Sequence, residues 1–240
     1  MIKQNLNRKH QLVLFDIDGT ILIYRKYFSK QVFISIIKEI FGKDISSTQL
    51  PSFAGMTDLQ ILKNICSEIN ISESELNNLL PELWKKLLNE FKKLSNPDCI
   101  ELLPGVSELI NLLDEDDMIQ LGLLTGNFRE NAYLKLSVFD LDDYFPFGAF
   151  GCESDNRNNL PEIAIERANI FANKMSFSTA NTIIIGDSPK DIECAKSNNM
   201  HILSVATGSF TKNQLSEYDP DIIFENLSDY YNVFNTIINF

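Results

Sequence analysis

Short apolar runs that stop at polar loops, with helical spacing between them, constrain this 240-residue chain more than any other feature. Residues 11–17 read QLVLFDI, Ile119–Thr125 read IQLGLLT, and 181–185 read NTIII before Gly186-Asp187. His201–Val205 and residues 221–224 are two further runs of the same kind. Runs this short and this apolar suit strands covered on both faces, as in a parallel sheet. Between them, helical spacing runs over 106–113 (after Pro104-Gly105), 129–138, 161–171 and 190–197. Strands alternating with helices predict an α/β fold with a parallel sheet between helical layers.

One stretch breaks the rhythm. Residues 24–97 show helical patterns and no strand pattern. Val32, Phe33, Ile36, Ile37, Ile40 and Phe41 share one helix face, with Gly42 as the stop. Thr57-x-x-Gln60 is a capping-box signature opening a helix with Leu59, Leu62, Ile65, Cys66 and Ile69, and Ser72-x-x-Glu75 repeats it. Pro81 suits the first turn of a further helix carrying Leu83, Trp84, Leu87, Leu88, Phe91 and Leu94. Such a length is too great for a loop. The expectation is a core formed by residues 1–24 and 98–240, with a helical domain, 25–97, inserted between its first and second strands.

Charge narrows the partners. Thirty-three acidic side chains against 21 basic ones leave a net −12, which repels nucleic acid and anionic membrane surfaces. A small anionic substrate remains compatible, because a local site can override the global field. The first eleven residues are polar and lead into no apolar signal core, and no run of eighteen apolar residues occurs. Cys66, Cys99, Cys152 and Cys194 are scattered, without a CxxC pair. Isolated reduced thiols and a cytoplasmic location are the expectation.

Chemistry concentrates where strands end. Asp16-Ile17-Asp18-Gly19-Thr20 follows the first run, and Gly186-Asp187-Ser188-Pro189-Lys190-Asp191 follows the third. Open parallel sheets bind ligands beyond the carboxyl ends of their strands. Two such loops, each with paired aspartates, offer the hard oxygen donors that suit Mg²⁺. Asp191 also suits a first helical turn facing the positive end of the helix dipole. A third strand end, Thr125-Gly126-Asn127, supplies a hydroxyl and a glycine fit for close approach of a phosphate.

Together these loops resemble the motifs of the haloacid dehalogenase superfamily, in its phosphoglycolate-phosphatase-like subgroup with a small helical cap. The resemblance spans about residues 11–211 and implies a Rossmann-like core with an inserted α-helical cap. It further implies a Mg²⁺-dependent phosphatase acting on a small phosphorylated metabolite. Asp16 would be the nucleophile, forming an aspartyl-phosphate, and Asp18 the general acid and base. Asp16, Asp187 and the Asp18 carbonyl would hold the metal, with Asp191 ordering its waters. Thr125, Gly126 and Asn127 would hold phosphoryl oxygens. The family's third motif is commonly Lys-Pro. This chain departs from it, and Arg157, after Gly148-Ala149-Phe150-Gly151, is the best match, with Lys174 the other candidate.

Substrate is less legible. Phe53-Ala54-Gly55-Met56-Thr57-Asp58 resembles a cap loop that faces the active site, with Met56 where a cation is frequent. Thr57 and Asp58 read first as a helix start, Trp84 as cap core, and His10 and His201 as structural. A carboxylate at Asp18 suits phosphate-ester hydrolysis rather than dehalogenation or phosphonate cleavage. A sugar phosphomutase and a non-catalytic partner-binding protein remain the alternatives. The hinges of cap motion fall at 23–25 and 96–103, and oligomeric state is not legible.

Overall fold

A computed structural model of the chain describes residues 8–25, 29–50, 52–173 and 176–240. In chain order its elements begin with β1 (Gln11–Phe15), β2 (Leu22–Tyr24), α1 (Ser29–Phe41), α2 (Asp58–Glu68), α3 (Glu73–Leu94) and β3 (Ile100–Leu102). Next come α4 (Val106–Asp114), β4 (Ile119–Thr125), α5 (Arg129–Leu136), β5 (Gly148–Phe150) and α6 (Leu160–Ala172). The chain closes with β6 (Thr182–Gly186), α7 (Pro189–Ser197), β7 (His201–Val205), α8 (Lys212–Ser216), β8 (Ile222–Phe224) and α9 (Tyr230–Ile237).

The expected parallel sheet forms. Its order among the described residues is β5-β4-β1-β6-β7-β8, every pair parallel. All five residues of β1 are buried. Val13 and Phe15 join the cluster under α4 and α9, while Leu12 and Leu14 join the one under α6 and α7. Burial on both faces is why the strand reads as a continuous apolar run instead of an alternation. Register pairs Phe15 with Leu123 of β4 and with Ile185 of β6, so three adjacent strands end at one level. Asp16 therefore sits level with Leu124 and Gly186, and Thr125 and Asp187 follow one residue further along their strands.

The helical stretch has its own core of Phe33, Ile37, Leu62, Ile65, Leu83, Leu87 and Phe91. Gly42 ends α1 at φ +64°, and Thr57 Oγ1 caps α2 by accepting the Gln60 N–H at 3.2 Å. One expectation fails here. No second helix begins at Pro81; a single 22-residue helix runs from Ser72, its cap, through Pro81. Pro81 and Asn77, whose carbonyl loses its helical partner, are both exposed, so that carbonyl is open to water instead of being buried unpaired. Three three-residue strands lie outside the sequence pattern: β5, at the edge of the sheet, and the pair β2 and β3. β2 and β3 pair antiparallel where the chain leaves and re-enters the sheet domain, matching Leu22 with Leu102 and Tyr24 with Ile100. Segments this short carry no measurable periodicity.

Among the described residues no helix is long and apolar enough to cross a membrane. All four cysteines are free, and burial pushes Cys66 up to about 11 and Cys194 to about 12, so both stay protonated. His201 begins β7 beside Asp221 and Phe240, on the structural footing expected of it.

Candidate active site

The loop after β1 folds back on itself: the N–H groups of Thr20, Ile21 and Leu22 all donate to the Ile17 carbonyl. That turn needs φ +86° at Gly19, and a Cβ there would stand 2.4 Å from Asp187 Oδ2. Only glycine permits both. The turn leaves Asp16 buried at the strand end and Asp18 partly exposed one step further out.

Carboxylate oxygens of Asp16, Asp187 and Asp191 lie within 4.8 Å of one another, and all three residues are buried. Arg157, itself 4% exposed, reaches into this cluster. Its Nη2 donates to Asp191 Oδ1 at 2.5 Å and to the Leu124 carbonyl at 3.1 Å, and it lies 3.2 Å from Asp16 Oδ1. Burial pushes the Asp16 carboxyl up to about 6, Arg157 pulling the other way. Burial and then repulsion from Asp191 and Asp16 hold Asp187 well above the ordinary carboxylate range. Three carboxylates against one guanidinium leave a formal −2. A divalent cation bound to hard oxygens matches that deficit in charge and in donor type. Asp187 is further confined by Gly208, where a Cβ would fall 1.7 Å from its Oδ2.

Asp191 is committed elsewhere as well. It closes the capping box of α7, accepting from Ser188 N at 3.0 Å and Ser188 Oγ at 2.6 Å. Asp191 is therefore at once the capping partner of Ser188 and a member of the carboxylate cluster.

Thr125, Gly126 and Asn127 occupy the neighbouring strand end. Thr125 is fully buried, and its Oγ1 accepts from Asn127 Nδ2 at 2.9 Å. Asn127 Nδ2 also donates to Asp18 Oδ2 at 2.6 Å. Asp16, Asp18, Gly126, Asn127, Arg157 and Asp187 all line one cavity of about 630 Å³, whereas Thr125 and Asp191 stand behind its wall. Lys174, the other third-motif candidate, lies outside the described residues.

One residue escapes the sequence, and a second, named there in the 53–58 loop, has contacts that the sequence does not show. Lys135 was read only as part of a helix, yet it is 3% exposed and its Nζ lies 2.7 Å from both Asp18 oxygens. A signal existed: Asn127, Asn131 and Lys135 recur every four residues, polar on the face that α5 turns inward. Asp58 was read as a helix start, which is half of its situation. Its backbone N–H donates to the Gly126 carbonyl at 2.7 Å, Leu59 N–H donates to Gly151 O at 3.1 Å, and Asp58 Oδ2 accepts the Phe128 N–H at 2.8 Å. The open amides at the starts of α2 and α5 are thus satisfied between the helical stretch and the strand-end loops. Trp84 bridges the same gap, stacking on Phe128 at 5.2 Å instead of filling the helical core alone.

Burial raises Asp58 from the ordinary 3.8 to about 7, against the Phe128 N–H and Lys135, which favour its charge. The native chain then keeps this proton over a window in which the unfolded chain has lost it. Stability should fall as pH rises from about 4 to 7 and level off above. Asp58→Asn keeps an oxygen for Phe128. It should raise Tm by ~5–10 °C at pH 8 while matching wild type only at about pH 4 and below. A Tm difference independent of pH would contradict this account.

The sequence model of the haloacid dehalogenase-like hydrolases matches residues 13–205. The chain belongs to this family. The hydrolase is 24% identical over 217 residues to the pyrophosphatase PpaX of Listeria welshimeri, covering 90% of this chain and 93% of that one. Among solved structures, β-phosphoglucomutase (pgmB) of Clostridium difficile superposes with a TM-score of 0.70 at 21% identity, over 96% of this chain and 97% of that one. A hydrolase from Pseudomonas syringae superposes at 0.68 and 16% identity, over 95% of this chain and 99% of that one. The likeness to these two structures is one of fold.

Proposed function

We propose that this hydrolase cleaves phosphate monoesters of small metabolites with Mg²⁺ through an aspartyl-phosphate. The observation that carries the reading is the single cavity shared by Asp16, Asp18, Arg157 and Asp187, with a charge deficit fitted to a divalent ion. Asp16 and Asp187 would hold Mg²⁺ by side chains and Asp18 by its carbonyl, with Asp191 fixed behind them. When bound, the ion offsets the repulsion between an anionic nucleophile and an anionic phosphoryl group.

In the first step an Asp16 oxygen bonds to phosphorus as the bond to the ester oxygen breaks, and Asp18 gives that oxygen a proton. In the second step Asp18 takes a proton from water as water attacks phosphorus and the Asp16–phosphorus bond breaks. Arg157 steadies the charge on Asp16 and on the phosphoryl group. Gly126 completes the phosphoryl cradle, Thr125 supports it from behind by accepting from Asn127, and Asn127 ties that cradle to Asp18.

Residues 25–97 act in this reading as a cap over the site, turning on 23–25 and 96–103. Phe33, Phe53, Met56, Ile61 and Phe91 give the cavity an apolar wall. A space of about 630 Å³ falls in the range that encloses an organic ligand, and both features favour an ester over bare pyrophosphate.

Purified protein should release phosphate from a panel of sugar phosphates, phosphoglycolate and nucleotides faster than from pyrophosphate. Chelation should stop turnover and Mg²⁺ restore it. Mg²⁺ alone should raise Tm by several degrees, since a ligand at about 100 times its Kd adds roughly 2.7 kcal/mol to stability. Absence of a thermal shift would remove the metal from the reading. Faster release from pyrophosphate would replace the monoester, isomerised sugar phosphate would make the protein a mutase, and inactivity on every ester would favour a partner-binding role.

A further inference from the structure

We propose that Lys135 is a positioning residue that aims Asp18 Oδ1 at the leaving-group oxygen, an assignment that rests on the acid–base role given to Asp18 above. An ammonium has three protons to donate. Here the Lys135 Nζ is within 2.7 Å of Asp18 Oδ1, Asp18 Oδ2 and Asn127 Oδ1. Above it lie the rings of Tyr24 at 5.0 Å and Phe91 at 5.8 Å, which fix its position further. Among the described residues every hydrogen-bond partner of this buried cation therefore belongs to the catalytic loop or to the residue that ties that loop to the phosphoryl cradle.

Stability does not call for such an arrangement. Asp18 is 42% exposed and would be hydrated without a partner, whereas burying Lys135 to 3% strips a cation of water. Buried ion pairs commonly give the fold no more than an apolar side chain of equal volume would. What the pair does supply is direction. Asp18 Oδ2 accepts from both Lys135 and Asn127, while among the described residues Oδ1 accepts from Lys135 alone. Oδ1 keeps the freer lone pair, and the carboxyl plane is fixed by contacts on both oxygens. A group held this way exchanges its proton at one atom and along one line.

The chemistry separates this role from general support. p-Nitrophenolate departs without a proton, whereas the alkoxide of glycerol phosphate must take one from Asp18. Rapid-quench measurement of Asp16 phosphorylation by each ester gives an aryl-to-alkyl rate ratio. Lys135→Met should raise that ratio on the order of 10²-fold, the scale of loss for a catalytic group displaced by about an ångström. Hydrolysis of the phosphoenzyme, where Asp18 accepts a proton, should slow alike from both esters. Lys135→Arg should recover part of the ratio.

Asp18→Asn run in parallel keeps the two claims apart. A raised ratio in Asp18→Asn with a wild-type ratio in Lys135→Met overturns the positioning role and leaves the acid–base reading standing. A wild-type ratio in Asp18→Asn overturns both. If Lys135→Met does not fold, the comparison moves to Lys135→Gln, where a wild-type ratio makes Lys135 a structural residue only.

Discussion

Asp16→Asn should lower phosphate release by about 10⁴-fold or more, the scale at which loss of a covalent nucleophile shows. The amide keeps the volume of the carboxylate, so the cavity retains its shape, but it lacks the charge that attacks phosphorus. Folding should not suffer. Burial already pushes Asp16 to about 6, and replacing a carboxylate crowded by Asp187 and Asp191 relieves repulsion. Tm in the absence of metal should therefore match or exceed that of wild type. Acid-quenched wild-type protein should carry label from a ³²P-ester, and the variant should carry none. Turnover within tenfold of wild type would end the nucleophile assignment.

Arg157→Met should produce the largest loss of stability. The guanidinium is 4% exposed and holds Asp16, Asp191 and the Leu124 carbonyl at once. Removing one partner of a buried ionic cluster leaves charge without compensation and costs about 3–5 kcal/mol. For a chain of this size that is a fall in Tm of roughly 10 °C. Mg²⁺ should return part of it, because a divalent ion meets the same uncompensated carboxylates. Arg157→Lys should restore less than its charge suggests. A single ammonium does not span acceptors arranged around a planar fork. Thermal unfolding of the three proteins with and without Mg²⁺ tests this; equal Tm values in wild type and Arg157→Met would refute it.

Much of the active-site neighbourhood was legible because it is written in residue types at strand ends. Asp16, Asp18, Asp187 and Asp191 flag themselves as acidic residues after apolar runs, and parallel topology brings such loops together. Thr125-Gly126-Asn127 and Arg157 followed from the same loops and from the family resemblance. Lys135 did not. A lysine on a helix is ordinarily solvated, and only the docking of α5 against the β1 loop shows that this one is buried. The contacts of Asp58 escaped for a related reason. Helix starts favour aspartate, and nothing local reveals that the amide it satisfies belongs to Phe128, seventy residues away. The run through Pro81 misled in the opposite direction, since a proline signals a helix start unless its ring and the carbonyl it orphans face water.

By itself the sequence determined the alternation of apolar strands with helices that builds the parallel sheet, and the acidic loops at its strand ends. Those follow from apolar periodicity and from residue types that local backbone geometry demands. Only the tertiary structure decided which polar side chains left water: Lys135 over Asp18, Asp58 on Phe128, Arg157 among three carboxylates. Burial is a property of surfaces that meet from distant parts of the chain, so no window of sequence contains it.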